Sequence, residues 1–483
     1  MSNLSELLPA GAGGKNVSFV ASGTLPNGRA VALKSDGTVE VVGETAVAAS
    51  SGTTTVFGGN NNVNYINATK LSNTKVIVCY MDNDNSQYGT ACVLSISGST
   101  ITAGSPVVFY STATTHISVT ALSETKAIVV FSDNSGYGTT SVLSISGSTI
   151  TVGSAVVFES ANSLFNSVTM LTSTTAIVVY TDTGNSYYGT ACLLTVSGST
   201  VTAGTPMVFR TSNSQWITVA TLSDTKVIVM FRLGTGYATS CVLTISGSSI
   251  SAGAVVSFNS SVSEYISVAV LTPEKVIVAY KDDGSSKLGK ALVLTISGST
   301  VSSGSAWDIF TFNNADTRWI SIAKITNTQA IVSYMDNGNS SIGTSRVLNI
   351  SGYTISGETA SVFNSSGTKY NSIVDLENSK SILVYRNDTG NGLGKSIVLQ
   401  TATDITNLTT TNFVGIASKA ISNTATGPIT LQGGVSTNQS SLTSGSTYYV
   451  QADGTVSTVS TAPAVNIGKA LNATTLKLKG LSV

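Results

Sequence analysis

The sequence predicts an all-β protein: a seven-bladed β-propeller inserted into a small β domain that both chain ends build together. Three observations carry this expectation. A motif of about 50 residues recurs through the middle of the chain. Each copy holds four short runs rich in Val, Ile, Thr, Tyr and Phe, separated by Gly, Asn, Asp and Ser. The segments before and after the repeats echo one another.

The repeat is easiest to follow at its Ile-Ser-Gly-Ser-Thr turn, which begins at Ile96, Ile145, Val196, Ile245, Ile296 and Ile350, spaced 49, 51, 49, 51 and 54 residues apart. Seven units align. Each opens on an aromatic or His: Tyr65, His116, Phe165, Trp216, Tyr265, Trp319 and Tyr370. An apolar run follows and ends on a second aromatic (Tyr80, Phe131, Tyr180, Phe231, Tyr280, Tyr334, Tyr385). Next come an Asp/Asn/Gly/Ser turn, a motif such as Tyr88-Gly89-Thr90, a second apolar run and the Gly-Ser turn. A final Val-Phe strand ends at Phe57, Phe109, Phe158, Phe209, Phe258, Phe310 and Phe363. No 3.6-residue periodicity appears between residues 50 and 400. Four strands per repeat of this length is a propeller-blade pattern. A β-solenoid competes, but its rungs are usually shorter and it needs end caps.

Counting strands predicts how the ring closes. The first Val-Phe strand, Thr54–Phe57, precedes the first opener, and the last unit, Tyr370–Leu399, lacks one. The N-terminal strand is therefore expected to complete the last blade, which removes an unpaired edge at the seam. The expected division is 1–50 and 404–483 for the terminal domain and 51–403 for the propeller. Both outer segments carry an Asp-Gly hairpin signal, Ala30–Val39 around Asp36-Gly37 and Tyr448–Val456 around Asp453-Gly454.

Composition excludes several functions. The chain has 483 residues, 10% of them charged, with 24 Lys+Arg against 24 Asp+Glu. An average soluble protein carries roughly 25% charge, and a nucleic-acid binder a basic excess. One histidine, His116, excludes a multi-His metal site and disfavours a His-dependent triad. No apolar stretch is long enough for a membrane helix. The start lacks a basic segment followed by an apolar one, so no secretory signal is expected.

Several constellations have two readings. The seven openers at one repeat position predict a ring near one end of the central channel. Aromatic bodies with polar tips suit a glycan or receptor, and equally suit packing between adjacent blades. The acidic turns (Asp82–Asn85, Asp133-Asn134, Asp182, Asp282-Asp283, Asp336-Asn337) place oxygens as a calcium loop does. They lack a distal Glu, the fourth unit has Arg232-Leu233 there, and Asn and Asp favour tight turns anyway; no metal site is assigned. Cys92, Cys192 and Cys241 share one position in different blades and cannot pair with each other. Cys79 and Cys92 lie on neighbouring strands of one blade and could in principle pair; buried free thiols are the expectation for all four. A glycosidase needs two positioned carboxylates, and the acidic residues here sit mostly in turns; Walker loops, Gly-x-Ser-x-Gly, His-Glu-x-x-His, sialidase Asp boxes and an Arg cluster are absent, so no enzyme activity and no cofactor are expected.

The end segments resemble a known family. Phe19–Gly23, Asn27-Gly28 and Ser35–Val39, with Phe413–Ala417, Gly433–Val435, Leu442–Val450 and Gly468–Leu471, are similar to a module of tailed-bacteriophage structural proteins. Leu7–Gly14 resembles the N-termini of fibre-like and decoration-like virion proteins. The resemblance implies a non-enzymatic virion surface protein. Its terminal domain would bind other virion structural proteins, and its propeller would serve host-surface recognition or capsid decoration. Partners implied are a host glycan or receptor, without nucleic acid or membrane insertion; tail fibre, head fibre and homo-oligomer all remain open. A secreted lectin or adhesin, and a degenerate polysaccharide-active enzyme, are the alternatives.

Overall fold

A computed structural model describes residues 16–303, 308–377, 379–460 and 463–479. Leu7–Gly14, part of the virion resemblance, lies outside the described residues. The chain divides into two compact units, 49–401 and the combined segments 1–48 and 402–483.

In the larger unit each repeat folds as an antiparallel four-stranded sheet. The first is representative. Its inner strand is the second half of Thr55–Ser72, followed by Lys75–Asp82, Tyr88–Ser97 and the outer Val107–Ala113. The Gly-Ser turn folds Thr100–Ala103 back on the third strand, with Ser97 opposite Thr100. Gly98 adopts φ +62°, as the first central residue of a two-residue II′ hairpin requires. Long strands such as Val156–Thr172 serve as the outer strand of one sheet and the inner strand of the next.

The middle strands read as continuous apolar runs because neighbouring sheets cover both faces. Val76–Tyr80 and Ala91–Leu94 are fully buried. Paired Val78 and Cys92 face one neighbour; Ile77 and Cys79 face the other. Cys79 and Cys92 therefore point to opposite sides of their sheet, and all four cysteines are free and buried. Burial pushes the Cys92 thiol up to about 12, which suits an inert apolar role.

Apolar cores lie between successive sheets, and one of them joins the last sheet (Ile382, Val384, Val398) to the first (Val76, Val78, Leu94). The inner strands likewise touch in a closed cycle. This closed arrangement of sheets is a β-propeller. At the seam Thr55, Val56 and Phe57 pair with Ser396, Lys395 and Gly394, and Ser51 pairs with Leu399.

The aromatic ending the second strand packs on the Phe of the preceding sheet's outer strand, as in Phe158 with Tyr180 at 5.3 Å and Phe57 with Tyr80 at 5.5 Å. One sequence expectation is corrected here. The sixth such residue is Phe312, which meets Tyr334 at 5.2 Å, not Phe310. That repeat is longer, and only Phe312 reaches the space above Gly289, where a Cβ would lie 2.5 Å from its ring. Phe310 instead stands under the Arg346 guanidinium at 5.3 Å.

The smaller unit interleaves both ends of the chain in one five-stranded sheet, ordered Asn16–Val20, Thr426–Leu431, Phe413–Ala417, Ala30–Leu33, Val39–Val41. A second five-stranded sheet comes from Val435 to Leu478, and Glu44–Val47 pairs with Thr403–Thr406. The two Asp-Gly turns are built alike. Asp36 Oδ1 accepts the Thr38 N–H and hydroxyl, and Asp453 Oδ1 accepts those of Thr455. Gly37 and Gly454 take φ +83° and +78°, giving three-residue loops with a bulge.

Candidate functional site

The inner strands are the edge strands of their sheets, so their free edges face the channel. Near its start each carries a bulge. In the first, pairing with Lys75–Asp82 slips between Asn64 and Asn67. The opener sits in this bulge in the left-handed region, with φ between +49° and +53° at all seven positions. That conformation is costly for a bulky residue, by roughly 1–2 kcal/mol. It brings the seven side chains together, and Tyr65, Phe165, Trp216, Tyr265 and Tyr370 also pack on the apolar cores between sheets.

The consequence is a closed aromatic ring. Centroid distances run 5.4 Å from Tyr65 to His116, 5.4 Å to Phe165, 5.3 Å to Trp216, 4.5 Å to Tyr265, 5.2 Å to Trp319, 4.4 Å to Tyr370 and 5.4 Å back to Tyr65. Successive planes differ by 42–59°. A seven-fold rosette of rings parallel to the axis would give about 51°, one seventh of a turn, and tilted contacts at this spacing are favourable. The centroids lie on a circle of radius about 6 Å, so the rings themselves, each several ångströms across, fill most of the aperture. All seven are half-buried. Their ring faces pack on one another. Among the described residues the hydroxyls of Tyr65, Tyr265 and Tyr370 and the indole N–H groups of Trp216 and Trp319 make no hydrogen bond to protein. Burial raises the Tyr370 hydroxyl to about 12, so it is a neutral donor.

A polar belt beneath the ring was not legible as such. In six of the seven repeats the residue two after the opener accepts a backbone N–H from the next inner strand. Asn67 takes Val119 (2.8 Å), Ser118 takes Val168 (3.1 Å), Ser167 takes Val219 (3.2 Å), Ser267 takes Ile322 (3.2 Å), Ser321 takes Ile373 (3.1 Å) and Ser372 takes Ala68 (3.2 Å). These amides would otherwise lie unpaired on the channel edge. The available signal was the small polar residue in the Ile-Ser-Val motif.

The acidic turns stand at the same end as the ring, since Val63 pairs with Asp82 just before the turn. Their carboxylates serve the turns. Asp82 accepts Asn85 N, Asp182 accepts Asn185 N, Asp282 accepts Gly284 N, and Asp133 accepts the N–H groups of Ser135 and Tyr137. Among the described residues no three acidic, His or Cys side chains converge as metal ligands.

Around the later half of the ring runs a line of ion pairs. Arg232 meets Glu264 at 3.1 Å; Lys281 meets Glu264 at 3.1 Å and Asp283 at 2.8 Å; Arg318 meets Asp316 at 2.7 Å; Lys369 and Arg386 meet Asp388 at 2.9 and 3.5 Å. Lys281 stands 5.9 Å over the Tyr265 ring. Burial alone would lower its pKa, but hydrogen bonds to Asp283 and Glu264 more than offset that, and it ends above the ordinary lysine value. At the other end of the channel, Thr69, Leu71, Leu122, Met170 and Thr221 line an open depression of about 470 Å³.

No protein-family model matches the chain, and no curated protein does. Solved structures do. The BP39L lectin from Burkholderia pseudomallei aligns with 71% of this chain and 98% of its own, at 7% identity and TM-score 0.54. The Myceliophteria thermophila Cps50 (Swd1) β-propeller domain aligns with 73% and 99%, at 9% identity and TM-score 0.49. NanB sialidase from Streptococcus pneumoniae (K499G mutant) aligns with 72% and 70%, at 11% identity and TM-score 0.44. At these identities the likeness is one of fold, and the first structure carries it.

Proposed function

We propose that this chain is a non-enzymatic virion surface protein of a tailed phage, whose propeller binds glycan on a host surface at the aromatic-ring end. The carrying observation is the closed ring of seven half-buried openers whose hydroxyl and indole tips are left without protein partners. Keeping seven bulky residues at positive φ is a repeated local penalty, and such strain is retained where the surrounding structure uses it. Unpaired donors at the tips of closely packed aromatics suit a ligand that presents hydroxyls to that edge. The virion assignment rests on the glycine-turn motifs of the end segments, whose Asp36 and Asp453 hairpins are built alike.

Two measurements test this function. Gold labelling of the protein in its particle should mark the virion surface, at the tail or across the capsid; absence from any particle removes the virion assignment. Purified full-length protein should be retained on a panel of bacterial surface polysaccharides. Retention should fall at least about tenfold in the triple variant Tyr65→Phe, Tyr265→Phe, Tyr370→Phe, which keeps the ring packing and removes its hydroxyl tips. Equal retention by this variant and the parent would place glycan contact elsewhere.

A further inference from the structure

We propose that the saccharide this end recognises is acidic, its carboxylate seated on Lys369 and Arg386 with the sugar against Trp319, Tyr370 and Tyr65. This inference rests on the glycan reading above and names the ligand class. The chain as a whole is sparsely charged and neutral. The rim of the ring carries more charge than the rest, and its distribution is lopsided. Inner-strand residues just before the openers read Asn64, Thr115 and Leu164 in the first three repeats, but Glu264, Arg318 and Lys369 in the last three. The matching second-strand positions read Met81, Ser132 and Thr181, then Arg232, Lys281 and Arg386, with Met335 the exception.

The ion pairs are shared unequally along this arc. Arg232 and Lys281 share Glu264 and Asp283, two against two. Arg318 has Asp316, one against one. Lys369 and Arg386 share one carboxylate, Asp388, within ion-pair distance. Of the acidic-turn carboxylates of the flanking sheets, Asp82 and Asp84 accept from Asn61 and from the Asn62 N–H, and Asp336 accepts from the Asn313 amide. Arg386 is held across the seam by Asn64, and its buried Nε faces Asp388 Oδ1 at 3.5 Å. Gly392 leaves room for this guanidinium: a Cβ there would lie 2.9 Å from both Nε and Nη2. The Lys369 side chain is 37% exposed and directly precedes Tyr370, whose ring makes the tightest contact in the annulus, 4.4 Å from Trp319. Two cations sharing one carboxylate beside the aromatic tips fit a carboxylate on a sugar ring, because charge-assisted hydrogen bonds to carboxylate are the strong ones.

The test uses the full chain and the same polysaccharide panel, with each carboxylate-bearing member paired with its carboxyl-reduced form. The expected result is binding to an acidic member that weakens at least about tenfold on carboxyl reduction, the size of one charge-assisted hydrogen bond. The preference should also shrink several-fold in Lys369→Gln but not in Lys126→Gln, a lysine on another strand, and should fall between low and high salt. Binding confined to neutral members, or unaffected by carboxyl reduction, overturns the acidic assignment and leaves glycan binding standing. No retention of any member removes the glycan reading itself.

Discussion

The backbone N–H of Phe165 donates to Nδ1 of His116 at 3.2 Å, so one member of the aromatic ring is hydrogen-bonded to the backbone of the next. Because Nδ1 accepts, the proton of the neutral imidazole lies on Nε2. Protonating Nδ1 would break that bond and place a charge among aromatic neighbours. Burial accordingly lowers the His116 pKa from 6.5 to about 4.

The sign of the pH effect follows. Between those two values the unfolded chain holds more protons than the folded one. The contribution of neutral His116 is complete above about pH 6.5 and lost as pH falls towards 4, with an upper limit of about 3 kcal/mol. Urea unfolding of the parent at pH 7 and pH 4.5 should show this loss. His116→Phe, which keeps an aromatic in the ring, should lose less stability over that interval. Parallel profiles for the two proteins would show that His116 is not the titrating group.

Phe57 pairs with Gly394 although 337 positions separate them in the sequence, and its ring lies over the glycine and against Tyr80. It is 1% exposed, as buried as its counterparts in mid-chain. Phe57→Ala should therefore destabilise the propeller by about 3–5 kcal/mol, as a core phenylalanine does. Phe209→Ala in the middle of the repeats is the comparison. Similar losses in thermal unfolding are expected; a loss under about 1 kcal/mol for Phe57 alone would mean that the N-terminal strand does not lock the ring.

Much of this architecture was legible because the repeat samples one structural position seven times. The aromatic openers, the Val-Phe strand and the Gly-Ser turn each show their residue preference in column after column. Phe312 was missed because Phe310 and Phe312 flank one threonine in a lengthened repeat, and only the space over Gly289 distinguishes them. The ring contacts depend on a bulge that sets φ, which no residue preference announces for His, Trp, Tyr and Phe alike. The rim ion pairs were invisible for a different reason. Arg232 and Glu264 occupy different repeat positions in different repeats, so neither periodicity nor local spacing brings them together.

The glycine of the Tyr-Gly-Thr motif has a packing reason that a substitution can expose. At Gly189 a Cβ would stand 2.6 Å from Phe209 and 3.1 Å from the Ser214 hydroxyl. Gly189→Ala should cost about 1–3 kcal/mol through overpacking. Phe209→Leu, in the same chain, should recover part of it. The fourth repeat already carries Ala238 at the matching position, buried in one core with Phe258. Ala238→Gly should be destabilising too. If Gly189→Ala unfolds at the parent's denaturant midpoint, the conserved spacing of Gly and Phe is not a packing constraint.

The polar belt makes a prediction that separates a hydrogen bond from mere filling of space. Ser321 Oγ accepts the Ile373 N–H at 3.1 Å, and the same hydroxyl position recurs at Ser118, Ser167, Ser267 and Ser372. Ser321→Ala removes little volume but leaves the Ile373 amide without its partner at the channel edge. The expected loss is about 1–3 kcal/mol, the penalty for stranding a buried donor. Ser321→Asn should retain most of the stability, because the first repeat uses Asn67 for the same bond to Val119. Hydrogen exchange supplies the local readout. The Ile373 amide should exchange faster in Ser321→Ala while Val168, held by Ser118 elsewhere in the ring, keeps its protection. Equal acceleration at both amides would mean that the substitution only lowered global stability, and that Ser321 does not hold its neighbour by this bond.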